Sequence, residues 1–349
     1  MPHPTRSPLL TALALALLAL WTTACGTDAP APAEVAAPEA PPAVERREIP
    51  VPAFAADSAY AHVAAQVGFG PRTPNSDGHA AARAYVAAAL ERYGAAVTVQ
   101  EFPAKLFDGT RATGYNLVGS FNPDAARRIF LCAHYDTRPF ADSDLEDEPG
   151  RRDEPILGAD DGGSGVGVLL EIARLLGANP PGDLGVDLVF FDLEDYGTPD
   201  GTTRDDMYTW ALGSQHWARQ PHVAGYAPRF GVLLDMVGAE GAVFGREEYS
   251  RRYAGDVQER IWRLAQRMGR GDRFVDASIG YATDDHYFVN ELAGWPTVDV
   301  IYKPVGEDLP FGAHWHTHDD DLDVIDPATL GDVGQVVTAA LYREAGGML

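Results

Sequence analysis

Histidine and carboxylate side chains are concentrated near the C-terminus, in the segment AHWHTHDDDLDVID that runs from Ala313 to Asp326. They offer imidazole nitrogen and carboxylate oxygen, the ligand atoms that zinc takes in proteins. A metal site usually draws its ligands from several distant segments. The segment alone therefore leaves three alternatives open: a solvated acidic loop, a metal-binding segment, or part of a substrate pocket.

Further candidate ligands follow the apolar stretches that are predicted to be strands. In parallel α/β sheets the carboxyl ends of the strands meet at one edge, where ligands bind, so these side chains are expected to converge. A single acid at a strand end is more often a cap or turn residue, but its recurrence on every central strand favours a metal site. The candidates are His134, Asp136, Asp160, Asp161, Glu194, Asp195, Asp235, Asp284, Asp285 and His316.

The hydrophobic pattern predicts the elements that position these residues. Helical spacing of apolar residues marks HAAARAYVAAALERYG, which stops at Gly94, and GSGVGVLLEIARLLGAN. Strands alternate with the helices, which predicts an α/β fold: a three-layer α/β/α sandwich with a mostly parallel, mixed central sheet. The predicted strands are AAVTVQEF, YNLVGSF, RRIFLCAHYD, DLGVDLVFFDLEDYG, RFGVLLDMVGA and WPTVDVIY.

The composition excludes one class of partner and leaves others open. With 51 acidic and 27 basic residues, the net charge is −24, which disfavours nucleic acid because phosphate backbones require Lys and Arg. Two cysteines, Cys25 and Cys132, are too few for a disulfide framework. We expect Cys132, inside an apolar strand, to be a small buried hydrophobe.

The first 54 residues differ from the rest of the chain. Residues 1–25 are predicted to be a lipoprotein signal peptide, because the apolar run LLTALALALLALW is followed by TTAC, and Cys25 would be lipidated. Thr22 stands where such motifs usually have Leu, so a plain secretory peptide is the alternative. Residues 26–54 form an Ala/Pro-rich tether and residues 55–349 one catalytic domain. Both alternatives predict export, and in the lipoprotein alternative the protein is anchored to the cell envelope and contacts the membrane only through the lipid on Cys25.

Most of residues 55–349 resembles a known family, the zinc-dependent aminopeptidases of the co-catalytic type with the related glutaminyl-peptide cyclotransferases. The resemblance implies their zinc aminopeptidase-like fold, and the insert YGTPDGTTRDDMYTWALGSQHWA resembles bacterial members of the animal-type cyclotransferases. The segments that carry it, in order, are GFGPRTPNSDGHAAARAYV, YNLVGSF, HYDT, GADDGGSGVGVLLEIARLL, FFDLEDYG, LGSQHWA, LLDMVGA, DDHYF and WHTHDD.

The resemblance implies a set of metal ligands. Asp161, the second acid of GADD, matches the ligand carboxylate, and Asp160 is then a neighbour that does not bind the metal. His316 matches the ligand histidine near the C-terminus, and Asp195 the ligand of LEDYG, where the family more often has Glu. His134 and Asp235 match positions that bind a second metal in the peptidases, although the cyclotransferases have similar residues there and hold one zinc.

The same resemblance assigns catalytic residues. Glu194 matches the general acid/base, but it would become the metal ligand if the shorter Asp195 did not reach the ion. Asp284 and Asp235 are expected to hydrogen-bond with Glu194 and raise its proton affinity. The alternative for Asp284 is a helix cap in TDD. Asp136 matches an acid that orients His134.

Two tryptophans are predicted to line the substrate pocket. Trp315, directly before the ligand histidine, would form an aromatic wall, and Trp210 would approach from the insert. His314 and His318 are expected to be solvated loop residues. The acids from Asp319 to Asp323 are expected to form a turn before a last helix capped at Asp326, with Pro327 at its first position.

Three functions follow for this site. The preferred one is a cyclotransferase with one zinc, which converts the N-terminal Gln of peptides or proteins to pyroglutamate and releases ammonia. The second is a zinc aminopeptidase that hydrolyses N-terminal residues with one or two zinc ions. A non-catalytic binding domain is the third, and the intact Glu194 argues against it.

Overall fold

The structure is a computed structural model that describes residues 46–144, 151–199, 204–306 and 311–349. The predicted signal peptide and most of the predicted tether lie outside the described residues. Within the described residues, no helix is long and apolar enough to cross a membrane.

Eight strands and eight α-helices are found in the described part of the chain. The strands are β1 (Ala96–Lys105), β2 (Arg111–Phe121), β3 (Arg127–His134), β4 (Leu184–Phe191), β5 (Gly231–Asp235), β6 (Phe244–Glu247), β7 (Phe274–Gly280) and β8 (Thr297–Ile301). The helices are α1 (Ala56–Val67), α2 (Asp77–Arg92), α3 (Gly163–Ala178), α4 (Arg204–Met207), α5 (Leu212–Arg219), α6 (Glu248–Arg267), α7 (Asp285–Ala293) and α8 (Pro327–Ala345).

Six strands form the central sheet in the order β1-β2-β4-β3-β5-β8. The β4-β3, β3-β5 and β5-β8 pairs are parallel, while β1-β2 and β2-β4 are antiparallel. The predicted fold class, an α/β sandwich with a mostly parallel, mixed sheet, is confirmed. Strands β6 and β7 form a separate parallel pair that sequence reasoning did not predict.

Helices cover both faces of the sheet. On one face, Leu131 and Ala133 of β3 pack in the main core with side chains of α1, α2, α3 and α8. On the other, Phe130 and Cys132 pack with Trp217 of α5 and Val289 of α7. Alternate residues of β3 therefore face opposite layers, as a strand buried on both sides requires. Cys132 is a buried hydrophobe, as expected.

The end of the predicted tether packs on the folded domain. The backbone N–H of Phe54 donates to Gln335 Oε1 of α8 at 2.9 Å, and Gln335 Nε2 donates to the carbonyl of Pro52 at 3.2 Å. Arg47 N donates to the carbonyl of Gly346 at 2.9 Å. The domain therefore begins before residue 55, because the backbone of residues 47–54 finds hydrogen-bond partners at its surface.

Candidate active site

A pocket opens beyond the carboxyl ends of the central strands. Its volume is about 330 Å³, counting the space at its mouth that is open to solvent. The residues that line it come from seven separate parts of the chain, as expected for an α/β sheet that binds ligands at this edge. They are Asp161, Glu194, Asp195, Trp210, Asp235, Met236, Thr283, Asp284, Ile301, Phe311, Trp315 and His316.

Asp161, Asp195 and His316, the predicted ligand set, lie together at the pocket floor. One ligand atom from each lies within 4.8 Å of the other two, and all three residues are buried. His316 Nε2 is 2.9 Å from Asp195 Oδ1 and 3.7 Å from Asp161 Oδ2. Neither oxygen of Asp195 has a hydrogen bond of acceptable geometry within the described residues. Two carboxylates and one imidazole with free lone pairs fit a zinc ion.

The charges of these carboxylates also favour a bound metal ion. Burial and the neighbouring charge of Asp161 raise the pKa of Asp195 to about 6. Two buried carboxylates at such short range repel each other unless a proton or a cation lies between them. The arrangement therefore favours the binding of a cation.

A second group, also predicted, shares Asp161 with the first. His134 Nε2 lies 2.8 Å from Asp161 Oδ1 and 3.3 Å from Asp235 Oδ1. One ligand atom from each of these three residues lies within 4.8 Å of the other two. Gly162 permits this approach, because a Cβ there would lie 2.5 Å from His134 Nε2. The imidazole of His134 directly bridges the two carboxylates.

Glu194 lines the pocket beside the first group. Burial, with the charges of Asp284, Asp195 and Asp285, raises its pKa well above the ordinary value, and the charge of His134 offsets only part of this effect. A carboxyl group with a raised pKa can both accept and return a proton near neutral pH.

Asp284 is the helix cap considered as the alternative for it, and it also lies at the site. It caps α7 through a hydrogen bond from the backbone N–H of Asp285 to Oδ1, and it also lines the pocket. Its Oδ2 is buried without a hydrogen-bond partner among the described residues. Asp235 and Glu194 line the same pocket, so the structure brings together the predicted acidic network, whose hydrogen bonds remain a prediction.

The two tryptophans flank the histidine ligand. The Trp315 and His316 rings stack with centroids 3.7 Å apart, and the Trp210 ring is parallel to His316 at 6.0 Å. Phe311 contacts Trp315 at 4.8 Å. Both predicted positions therefore form the apolar wall of the pocket.

Four non-glycine residues at the site adopt left-handed backbone conformations: Leu193 (φ 58°), Ala211 (φ 54°), Met236 (φ 47°) and His316 (φ 57°). Each is a site residue or the direct neighbour of one. Such conformations cost of order 1–3 kcal/mol and persist where surrounding contacts enforce them. The backbone turns here direct the side chains of β4, β5 and the C-terminal segment into the pocket.

The prediction that His314 and His318 are solvated is wrong for His314. This residue is buried, and its Nε2 lies 2.9 Å from Asp160 Oδ2. His318 is partly buried, with Nδ1 2.7 Å from Asp144 Oδ2. Asp160 also accepts the backbone N–H of Gly238 at 2.7 Å, so it supports the loop and is not placed in the ligand group.

Asp320 is a buried support of the site rather than a turn residue. It accepts the backbone N–H groups of Asp160 at 2.7 Å and Asp161 at 3.1 Å. This fixes the loop that carries Asp161, a role hidden from sequence reasoning within the HDDD run. The helix that follows begins as predicted, with Asp326 as its cap and Pro327 in the first turn.

Two buried arginines were also missed. Arg72 donates to the carbonyls of Tyr135, Leu157 and Gly158, and so joins the end of β3 to the Asp161 loop. Arg138 donates to the carbonyl of Asp195. Arg138 follows the end of β3 within HYDTR, which was an available signal, whereas GPRTP around Arg72 lies between two helices and offered none.

Residues 116–341 match the family model described as Peptidase family M28. The chain belongs to this family. The predicted resemblance to zinc aminopeptidases and their cyclotransferase relatives is thereby confirmed.

Solved structures and curated proteins similar to this M28 chain include two kinds of enzyme. Glutaminyl cyclase of Bacteroides thetaiotaomicron, bound to N-acetylhistamine, is 47% identical with a TM-score of 0.80, covering 84% of this chain and 99% of that one. A leucine aminopeptidase precursor from the same species gives the same identity, coverage and TM-score. The glutaminyl-peptide cyclotransferase of Drosophila melanogaster is 25% identical over 283 residues, which span 76% of this chain and 75% of that protein.

Proposed function

We propose that this protein is a glutaminyl-peptide cyclotransferase, which converts the N-terminal Gln of peptides or proteins to pyroglutamate and releases ammonia. The observation that carries the proposal is Asp284, a buried carboxylate with an unpaired oxygen in the same pocket wall as Glu194. The 47% identity to the B. thetaiotaomicron glutaminyl cyclase supports it. Mass spectrometry of a peptide with N-terminal Gln tests the reaction.

A single zinc ion is the proposed cofactor. Asp161, Asp195 and His316 would hold it, because their ligand atoms converge and neither oxygen of Asp195 has a well-aligned hydrogen-bond donor among the described residues. Bound there, zinc would supply Lewis-acid polarisation of the substrate's side-chain amide carbonyl.

The pocket offers polar and apolar contacts for an N-terminal glutaminyl residue. Asp235 and Asp284 present carboxyl oxygens that can accept hydrogen bonds from the α-amine. Trp210 and Trp315 form an apolar wall against which the chain of methylene groups can fold. The pocket is small, about 330 Å³ with the open space at its mouth included, which suits one residue with the peptide leaving through the mouth.

The ring closes within the substrate. The α-amine nitrogen bonds to the side-chain amide carbon, the bond from that carbon to the amide nitrogen breaks, and the nitrogen leaves as ammonia. Glu194 takes the proton that the amine loses and gives it to the departing nitrogen, so it is regenerated in each cycle. Its raised pKa, due to burial and the charge of Asp284, suits this transfer.

Aminopeptidase activity is the second candidate, because His134, Asp161 and Asp235 could hold a second zinc ion next to the first. Two-metal hydrolases use such a pair to bind and activate water. His134 contacts both carboxylates directly, just as His316 Nε2 contacts Asp195 Oδ1 at 2.9 Å, so these contacts do not separate the two groups. Two zinc ions in the purified protein would favour the aminopeptidase.

We further propose that the protein is exported and lipid-anchored to the cell envelope through Cys25. The apolar run before TTAC supports this placement, and the Ala/Pro-rich segment after it would separate the domain from the membrane. Metabolic labelling with a radioactive fatty acid tests it. The natural chain should be labelled and a Cys25→Ser variant should not.

A further inference from the structure

The imidazole of His316 has a partner on each side. Its Nε2 faces the oxygens of Asp161 and Asp195, so this nitrogen must carry the lone pair if the residue binds a metal. The proton is then on Nδ1, which lies 3.3 Å from Asp142 Oδ1. A carboxylate on the far nitrogen of a ligand histidine fixes the ring's tautomer and orientation.

The segment around Asp142 also holds the backbone of His316. The N–H of Ser143 donates to the carbonyl of His316 at 3.2 Å. Because His316 has a left-handed backbone (φ 57°), its conformation depends on such contacts. Asp142 and Ser143 therefore restrain both the ring and the backbone of one ligand.

Arg138 fixes Asp142 in turn. Its guanidinium donates from Nε to Asp142 Oδ1 at 3.2 Å and from Nη2 to Oδ2 at 2.6 Å. Its Nη1 donates to the backbone carbonyls of Asp195 and Gly197, both at 2.9 Å. A fully buried guanidinium with these four acceptors has little freedom, so it links the positions of two metal ligands.

The same guanidinium supports the pocket wall. Its Cζ lies 4.5 Å from the Trp210 ring centroid and 4.2 Å from that of Phe140. A guanidinium over the face of an aromatic ring is attracted to it, which restrains both groups. Arg138 thus supports both Trp210, by direct contact, and His316, through Asp142.

We propose that Asp142 and Arg138 are positioning residues, which orient His316 for metal binding and, through Arg138, align it with Trp210. The proposal rests on the ligand set in the proposed function, but it does not depend on whether the reaction is cyclisation or hydrolysis. Neither residue needs to touch the substrate.

A neighbouring pair offers a matched control. Asp144 and His318 form the same type of contact two residues further along both segments, with Oδ2 2.7 Å from Nδ1. The side chains of Asp142 and Asp144 are similarly exposed, at 22% and 26%. His318 is not in either candidate ligand group, so loss of Asp144 should not affect the metal.

The test compares zinc affinity, by competition with a chelator and without substrate, in full-length Asp142→Ala, Asp142→Asn and Asp144→Ala proteins. We expect Asp142→Ala to bind zinc about 10–100-fold more weakly than the natural protein. The zinc affinity of Asp142→Asn should lie between those two values, and the zinc affinity of Asp144→Ala should equal that of the natural protein. Equal zinc affinity in the Asp142 and Asp144 variants would overturn the proposal.

Two further measurements separate positioning from stability. Thermal unfolding of the zinc-free variants shows whether a loss of affinity reflects unfolding, and Asp142→Asn preserves the volume of the side chain if Asp142→Ala is unstable. Arg138→Lys should weaken zinc binding and raise KM together, because Lys cannot make the paired contacts with Asp142 or stack as a plane on Trp210. If both zinc affinity and KM were unchanged in the Arg138→Lys variant, the proposed role of Arg138 would be contradicted.

Discussion

Asp136 accepts the backbone N–H of Glu194 through Oδ1 at 3.1 Å, and the N–H of Asp195 through Oδ2 at the same distance. Asp136, which closely follows β3, thus fixes the loop after β4. This loop carries Glu194, the proposed proton shuttle, and Asp195, a proposed metal ligand. The expected contact with His134 is longer, at 3.5 Å between Nδ1 and Oδ1. Positioning that loop is the better-supported role of Asp136.

Replacement of Asp136 by Ala should therefore destabilise the protein. Two buried N–H groups would lose their acceptor, which costs about 1–3 kcal/mol for each group left unsatisfied. Urea denaturation should show a loss of about 2–6 kcal/mol in the free energy of unfolding. Asp256→Ala, at an exposed acid on α6, should change it by less than about 0.5 kcal/mol. Equal stabilities of the two variants would refute the structural role of Asp136.

Replacement of Glu194 by Gln should abolish turnover without loss of the metal. Gln has a similar shape but cannot accept and return a proton, and general acid–base catalysis contributes about 10²–10⁴-fold to rate. We expect kcat to fall by at least about 100-fold while the zinc content is unchanged, with the exposed Glu101→Gln as control. Activity within a few-fold of the natural protein would exclude Glu194 as the proton shuttle. Loss of zinc instead would make Glu194 a metal ligand.

Elemental analysis of purified protein should find one zinc ion per chain, and His134→Ala should leave this number unchanged. The reason is that Asp161, Asp195 and His316 form a complete group without His134. Two ions in the natural protein and one in His134→Ala would favour the aminopeptidase.

The stability contributed by Glu247 should depend on pH. Burial alone would raise the pKa of this carboxyl group, but the charge and hydrogen bond of His286 and the N–H groups of Ser250 and Tyr249 outweigh it, and the pKa falls to about 2. Because the folded pKa is below the ordinary value of 4.5, the contribution is complete above pH 4.5 and disappears as the pH falls towards 2.

Unfolding of the natural protein and Glu247→Gln at several pH values measures this contribution. A fall from 4.5 to about 2 corresponds to about 3 kcal/mol, which we expect as the stability gap near pH 6. The gap should narrow steadily between pH 4.5 and pH 2. A gap that stays constant over this range would show that the pKa of Glu247 is not lowered in the folded protein.

The strands and the positions of the candidate metal ligands could be predicted because their sequence patterns are local, whereas the roles of these residues came from the family resemblance. The continuous apolar runs of β3, β4 and β5 each end at or shortly before a candidate ligand, and the sheet brings these ends together. Helix α6 was not assigned, although Val257, Ile261 and Leu264 recur at helical spacing and are buried.

The supporting contacts could not be predicted, because they join residues distant in sequence through side-chain geometry. Arg138 and Asp142 lie four residues apart in a segment without regular structure, but His316 follows more than 170 positions later. In the sequence, Asp320 is one of several acids that are predicted to form a turn. Only the fold shows that it accepts the backbone N–H groups of Asp160 and Asp161. The left-handed backbone of His316 likewise has no pattern in sequence.

The central claim is cyclisation of N-terminal glutamine, and the most direct measurement is mass spectrometry of two peptides that differ only in their first residue. Incubated with the full-length protein and zinc, the peptide with N-terminal Gln should lose one ammonia, and the peptide with N-terminal Leu should remain unchanged. The Glu194→Gln variant should leave both peptides intact. Release of free glutamine or leucine by the natural protein would contradict the account and identify an aminopeptidase.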